Sequence, residues 1–210
     1  MIGVDIHRGL SQLDALGDVR LPRDARDKLA AYLDLLGRWN RTYNLTAIRE
    51  PERMVTHHVL DSLAVLPHLK GLTVADLGSG AGFPGLPLAI ADLDRRYSLI
   101  ESTGKKATFL RHACTMLRLP NVEVVQGRAE ALKPGKPFDT VVARALGSLA
   151  EFVRVGGHLA GRGGRLLAMK GKLPEEELKA IPTGWKALAV HPIRVPGLVA
   201  ERCLVELARV

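Results

Sequence analysis

The chain has 210 residues, 47% of them hydrophobic and 25% charged, a length and balance that suit a full buried core and exclude disorder over most of the sequence. Thirty Lys and Arg stand against 22 Asp and Glu, a formal charge of +8 with a pI near 9.8; that excess fits a polyanionic partner such as nucleic acid, although an inert basic surface has the same composition. The two cysteines, Cys114 and Cys203, make no disulfide framework, and neither a signal-peptide pattern nor an apolar run of membrane-spanning length occurs, so a reducing cytoplasmic setting is expected.

The first third reads as helical. Leu29, Tyr32, Leu33, Leu36 and Trp39 recur at three- and four-residue spacing after Pro22, which predicts an amphipathic helix with its apolar face inward. Trp39 continues that stripe and reads as core; with Tyr43 it could instead stack on bases. The polar stretch WNRTYNLTAIRE follows, and its sequon-like Asn44-Leu45-Thr46 reads as a structural turn. A second amphipathic run, residues 51–66, carries Val55, Val59, Ser62, Leu63 and Leu66 on one side. His57, His58 and Asp61 lie within reach of one another on it. They could ligate a metal, but no second His-Cys cluster supports that, and a capping or packing role is the better reading.

From residue 73 the pattern changes to short β-rich runs: TVADLG, YSLIES, VEVVQG, FDTVVARA, GRLLAMKG, WKALAVHPIRV and RCLVELARV. Helical stretches separate the early ones, for example residues 104–119 with Ala107, Leu110, Cys114 and Leu117 on one face. Alternating strands and helices predict parallel βαβ units. The last two runs lack a convincing helix between them and are expected to end the sheet as an antiparallel pair. The expected architecture is α/β: a Rossmann-like core over residues 71–210, with a seven-stranded, mostly parallel sheet, and an N-terminal helical extension over residues 1–70 packed on it. Lys170 and Lys172 follow the fifth strand, where a phosphate contact and a solvated basic loop are equally good readings.

In such a sheet ligands bind beyond the carboxyl ends of the strands, beside the first strand-to-helix turn. The run ADLGSGAGFPG, residues 75–85, sits there and can be parsed in two ways. Gly80, Gly82 and Gly85 fit G-x-G-x-x-G, the dinucleotide fingerprint. Asp76, Gly78, Gly80 and Gly82 fit D-x-G-x-G-x-G, an arrangement used for S-adenosylmethionine, in which no pyrophosphate needs cradling. The dinucleotide parse starts the turn late relative to the strand TVADL, so the second is more economical. Glu101, at the end of the next strand about 20 residues on, has the spacing of a carboxylate that accepts both ribose hydroxyls.

WNRTYNLT, HHVLDS, DLGSGAGFPGLPLAI, ESTGKKATFLR, QGRAE, VARALGSL, AMKG and GLVAERCLVEL together resemble the bacterial ribosomal small-subunit methyltransferase G family, also called glucose-inhibited division protein B. The resemblance covers the chain from about residue 25. It implies S-adenosylmethionine-dependent methylation of N7 of a guanine in 16S rRNA, by a monomer that requires no metal and no membrane. It also implies that Gly78 and Phe83 of the loop, Ala129 and Glu130 after the third strand, and Arg144 at the end of the fourth border the cofactor. Glu101, Ser102 and Thr103 would continue its ribose and adenine side, and His58, Asp61 and Ser62 match the family near the mouth of the site. Many methyltransferases carry an Asp after the third strand where this chain has Arg128, so the adenine contact departs from that pattern.

The residues at the fourth strand end narrow the chemistry. Enzymes acting on exocyclic amines commonly place an Asn- or Asp-Pro-Pro-aromatic motif there; this chain has Ala143-Arg144-Ala145-Leu146. Pyrimidine C5 methylation needs a cysteine nucleophile, and neither cysteine lies in a strand-end loop. Guanine N7 is an unprotonated acceptor, so alignment suffices and no base is needed. Arg128 and Arg144 are the candidate catalytic residues, positioning cofactor or guanine, and Lys105, Arg128 and Arg202 are the candidate RNA contacts. An NAD-dependent oxidoreductase is the rival reading, although no Tyr-x-x-x-Lys pair is present; an RNA-binding protein that keeps the fold without the activity is the other.

Overall fold

The structure is a computed structural model that describes residues 10–12 and 21–210; the part of the expected extension at residues 1–9 and 13–20 lies outside them. Helix α1 spans Ala25–Tyr43 and buries Leu29, Tyr32, Leu33 and Leu36, the stripe predicted from the spacing. It ends at Asn44, whose backbone is left-handed with φ 49°, a conformation Asn tolerates better than most residues. The buried Asn40 amide then clamps Thr46 from both sides, donating to its carbonyl at 3.0 Å and accepting its N–H at 2.9 Å. That clamp turns the chain back into α2. Three segments make up α2: Pro51–Met54 is α-helical, Val55–Leu60 is π-helical and Asp61–Leu63 is α-helical. Such π turns are uncommon and recur at functional sites.

Among the described residues seven strands form one sheet in the order β3-β2-β1-β4-β5-β7-β6. They are β1 (Thr73–Leu77), β2 (Arg96–Glu101), β3 (Val122–Gln126), β4 (Phe138–Arg144), β5 (Ala160–Lys170), β6 (Trp185–Pro192) and β7 (Cys203–Arg209). The helices α3 (Gly85–Ala91), α4 (Gly104–Leu117) and α5 (Leu149–Gly156) connect the parallel strands, and the short α6 (Glu175–Lys179) precedes β6. β1 pairs with both β2 and β4 in parallel, so the strand order reverses beside its carboxyl end. That crevice is where open α/β sheets bind ligands.

β6 and β7 form the antiparallel pair expected from the sequence, but β7 inserts between β5 and β6. Burial explains the order. Six of the seven β7 residues are not exposed, whereas β6 has only half-buried and exposed positions and none that is fully buried. The amphipathic strand takes the edge and the apolar one is covered on both sides.

Strand side chains alternate between the two faces. Ala75, Leu77 and Val141 join a cluster with α5, while Val74 and Val142 pack with Leu88 and Ala89 of α3. The helical N-terminal part is not a separate lobe: Leu29, Leu33 and Leu36 of α1 and Val59 and Leu63 of α2 share one cluster with Leu86 of α3 and Phe109 of α4. Each fully buried leucine there stabilises the fold by about 1.5–3 kcal/mol. Trp39 packs its ring on Phe109, His112 and Tyr43, with centroids 5.2–5.5 Å apart, which places it at the core margin as the apolar stripe implied.

Candidate functional site

The glycine run leaves β1 at Leu77 and turns three times through left-handed backbone, with φ of 67° at Gly78, 60° at Gly80 and 105° at Gly82. Only glycine adopts these angles readily, which explains the residue type at all three positions. Glu101, at the end of the neighbouring strand and 5% exposed, ties the loop down. One carboxylate oxygen accepts the Gly80 N–H at 2.8 Å and the other the Thr103 N–H at 2.7 Å. Two oxygens with about four lone pairs retain capacity for further donors. Beneath the loop Asp76 is 1% exposed; its Oδ2 accepts the Gly85 N–H at 3.0 Å, which starts α3, and its Oδ1 has no partner.

Tyr32 of α1 reaches the same loop. Its buried hydroxyl donates to the Ala81 carbonyl at 2.5 Å, and its ring lies 5.3 Å from that of Phe83. A side chain at Gly82 would meet that hydroxyl at 2.9 Å and Leu86 at 2.5 Å. Tyr32→Phe removes the donor and leaves a buried carbonyl unsatisfied, a cost of about 1–2 kcal/mol. The expected outcome is a lower denaturation midpoint and a severalfold weaker loop ligand, measured by chemical unfolding and calorimetry.

On the other side of the loop Phe83 is 3% exposed; the His58 ring stacks on it at 4.3 Å, and the Arg144 guanidinium, in contact with His58, lies 5.1 Å from its centroid. Arg144 ends β4 and is followed by Ala145 in left-handed backbone, φ 57°, a strained angle for a residue with a side chain. Its NH1 donates to the His57 carbonyl at 3.0 Å and approaches His58 Nδ1 and Asp61 Oδ2 at 3.4 Å. Asp61, 4% exposed, accepts Arg202 Nε on its other oxygen at 3.0 Å. One buried carboxylate therefore holds two arginines, one ending β4 and one just before β7. His58 Nδ1 lies 3.2 Å from the His57 carbonyl and 3.4 Å from the Arg144 guanidinium, and its Nε2 lies 2.9 Å from Thr46 Oγ1.

Residues 25–205 match the family described as rRNA small subunit methyltransferase G. The chain belongs to this family. Curated relatives named ribosomal RNA small subunit methyltransferase G include one from Xanthomonas campestris pv. campestris (strain B100), 52% identical over 88% of this chain and 87% of its own length. Another, from Azoarcus sp. (strain BH72), is 49% identical over 93% and 92%. Among solved structures, the glycopeptide N-methyltransferase MtfA complexed with S-adenosyl-L-methionine superimposes with a TM-score of 0.61 at 16% identity, covering 73% of this chain and 87% of that one. TrmN from Thermus thermophilus does so with 0.57 at 19%, covering 74% and 53%. These two share the fold.

In this methyltransferase G chain the expected cofactor residues ring one rim. Gly78 and Gly80 follow β1, Glu101 ends β2 with Ser102 and Thr103 after it, Ala129 and Glu130 follow β3, and Arg144 ends β4. Arg128 does not join Arg144. It is exposed in the turn after β3, and the order β3-β2-β1-β4 sets it three strand spacings away, roughly 14 Å. Lys105 is exposed in the first turn of α4, on the Arg128 side, while Arg202 stands beside Arg144. Lys170 is held by the Gly147 carbonyl at 2.7 Å and Glu177 at 2.8 Å, so it braces the loop after Arg144, while Lys172 stays exposed. Among the described residues no three His, Cys, Asp or Glu side chains gather as a ligand group; His58 and Asp61 are occupied by Thr46 and the two arginines. No helix among the described residues is long and apolar enough to cross a membrane.

Tyr32, Asn40 and Thr46 support this site and were not singled out for it from the sequence. The signal for Tyr32 and Asn40 was a hydroxyl and an amide on an otherwise apolar helix face, where each needs a buried partner; Thr46, in the loop after α1, gave none.

Two buried groups oppose each other in pH. Burial, with the Arg144 charge next, pushes His58 down to about 3, so the unfolded chain binds its proton first and stability rises with pH from about 3 to the unfolded value of 6.5. Burial pushes Asp76 up to about 7 from 3.8, so the folded chain holds the proton longer and stability falls across that window. The two trends, each about 2–3 kcal/mol, nearly cancel between pH 4 and pH 6.5. Asp76→Asn is expected to unmask the rising limb, and His58→Gln the falling one, in urea unfolding at pH 4.5, 5.5 and 6.5.

Proposed function

We propose that this chain transfers the methyl group of S-adenosylmethionine to N7 of a guanine in the 16S rRNA of the small ribosomal subunit. The observation that carries the reading is the Glu101-braced glycine loop at the switch point of a methyltransferase G chain. The residues present fit the cofactor: the left-handed Gly78 and Gly80 keep side chains off the rim, and Glu101 has the lone pairs for ribose hydroxyls. Gly78, Gly80 and Phe83 would border the amino-acid part, Glu101, Ser102 and Thr103 the ribose, and Ala129 and Glu130 the adenine. Asp76 acts from beneath, by fixing the start of α3.

The cofactor supplies an electrophilic methyl on sulfur, and the chain supplies alignment. N7 attacks without first losing a proton, so no residue need act as base. Arg144 and Arg202, neutralised in part by Asp61, are positioned to orient guanine through O6 or a phosphate; an arginine donating to N7 would block the attack. Arg128 and Lys105, on the adenine side, contact the RNA backbone. The chain acts as a monomer in the cytoplasm without a metal, residues 1–70 serving as an extension that braces the core of residues 71–210.

Calorimetry with S-adenosylmethionine and NAD, followed by incubation of tritiated S-adenosylmethionine with 30S subunits, naked 16S rRNA and tRNA, tests this. Binding of S-adenosylmethionine alone and label in 16S rRNA are expected. NAD binding, or label confined to tRNA, would overturn the assignment.

A further inference from the structure

A groove of about 490 Å3 lies between α1 and the start of α2, and no residue of the strand-end rim lines it. Its volume is within the range of small-molecule sites, about 300–1,000 Å3. Leu33 and Met54, both buried, form an apolar floor with Pro51, and Arg38, Arg41 and Arg49 stand around it against one acid, Asp34. All three arginines are exposed. Arg49 leans on Asn44 at 2.9 Å; Arg38 and Arg41 make no hydrogen bond or ion pair among the described residues. In the middle of the helix, Gly37 lines the groove and an added Cβ there would meet nothing within 4 Å.

An apolar floor inside a ring of guanidinium groups matches an unpaired nucleotide: the base face takes the floor and an arginine plane, and the flanking phosphates take the charges. A duplex fits less well, because its bases are stacked away from such a floor. We propose that this groove is a second RNA subsite, holding one unpaired nucleotide of the substrate remote from the methylated guanine. The proposal rests on the reading of rRNA as substrate. Asn40 connects the two places: it lines the groove and clamps Thr46, whose hydroxyl meets His58 beside Arg144.

Fluorescence anisotropy with a labelled single-stranded RNA and a labelled duplex, over a salt series, tests the groove separately from catalysis. Gly37→Leu fills the open floor with a better helix former, so misfolding does not account for a loss. It is expected to weaken single-strand binding about tenfold, the scale of one lost base stack, without changing the salt slope. Arg38→Ala and Arg41→Ala are each expected to flatten the slope of log affinity on log salt by about 0.7. In methylation assays all three raise the RNA KM and leave kcat and the S-adenosylmethionine Kd within about twofold. Unchanged single-strand affinity and slope would overturn the proposal, as would a loss seen only with assembled subunits, which would assign the groove to a ribosomal protein. Failure of the wild-type chain to methylate any RNA would sink the proposed function instead, and the anisotropy would still decide the groove.

Discussion

Asp61→Ala is expected to lower methyl transfer by a hundredfold or more while the chain stays folded. Asp61 carries two ion pairs at once, to Arg202 Nε at 3.0 Å and to Arg144 NH1 at 3.4 Å, with its own side chain 5% exposed and the arginines 23–25% exposed. Removing the shared carboxylate leaves two cations facing each other without a counter-charge, which costs up to about 3 kcal/mol in so enclosed a place. The residue acts through others. Arg144 loses the anchor that keeps its plane over Phe83, and both arginines are freed from the geometry in which the proposed function has them orient the guanine. Small misplacements of that kind are worth about a hundredfold in rate. Asp61→Asn keeps the shape and one of the two acceptors, its NH2 facing the other arginine, so its activity should fall between those of wild type and Asp61→Ala. Steady-state kinetics well below the melting temperature check this: the loss should appear with RNA as the varied substrate, and activity within twofold of wild type would contradict it.

Glu101→Gln should abolish tight cofactor binding, with an expected rise in the S-adenosylmethionine Kd of about a hundredfold, or about 2.7 kcal/mol. The substitution is nearly isosteric, but the polarity is wrong. Glu101 accepts one N–H on each oxygen, and a glutamine must aim its own N–H groups at one of those donors. The loop at Gly80 or the start of α4 at Thr103 must then move, and the charge-assisted bonds proposed to the ribose would be lost as well. Calorimetry measures the change directly. An unchanged Kd would mean that the ribose is held elsewhere.

Much of the fold could be read in the sequence because it rests on local periods. The three- and four-residue spacing in α1 and the alternation in β1 to β4 are properties of short windows, and each predicted element lies near its observed bounds. The glycine loop was legible for a similar reason: positive backbone angles restrict the residue type, so Gly78, Gly80 and Gly82 are visible as a pattern. What escaped depends on contacts between distant positions. Nothing local in HHVLDS says that Asp61 will sit between Arg144 and Arg202, 83 and 141 positions away. The insertion of β7 between β5 and β6 follows from burial on both faces, which becomes visible only once the sheet exists. Arg128 and Arg144 looked alike as strand-end arginines. The strand order sets them three strand spacings apart, one after β3 and the other at the end of β4.

The most direct test of the reaction itself is the position of the methyl group. After incubation with 30S subunits and S-adenosylmethionine, the 16S rRNA is reduced with borohydride, cleaved with aniline and mapped by primer extension. A single enzyme-dependent break, at one guanine and lost in the Glu101→Gln variant, is the expected result. Incorporated methyl that leaves the chain resistant to cleavage would place it somewhere other than N7, and would contradict the account of a site built for alignment without a base.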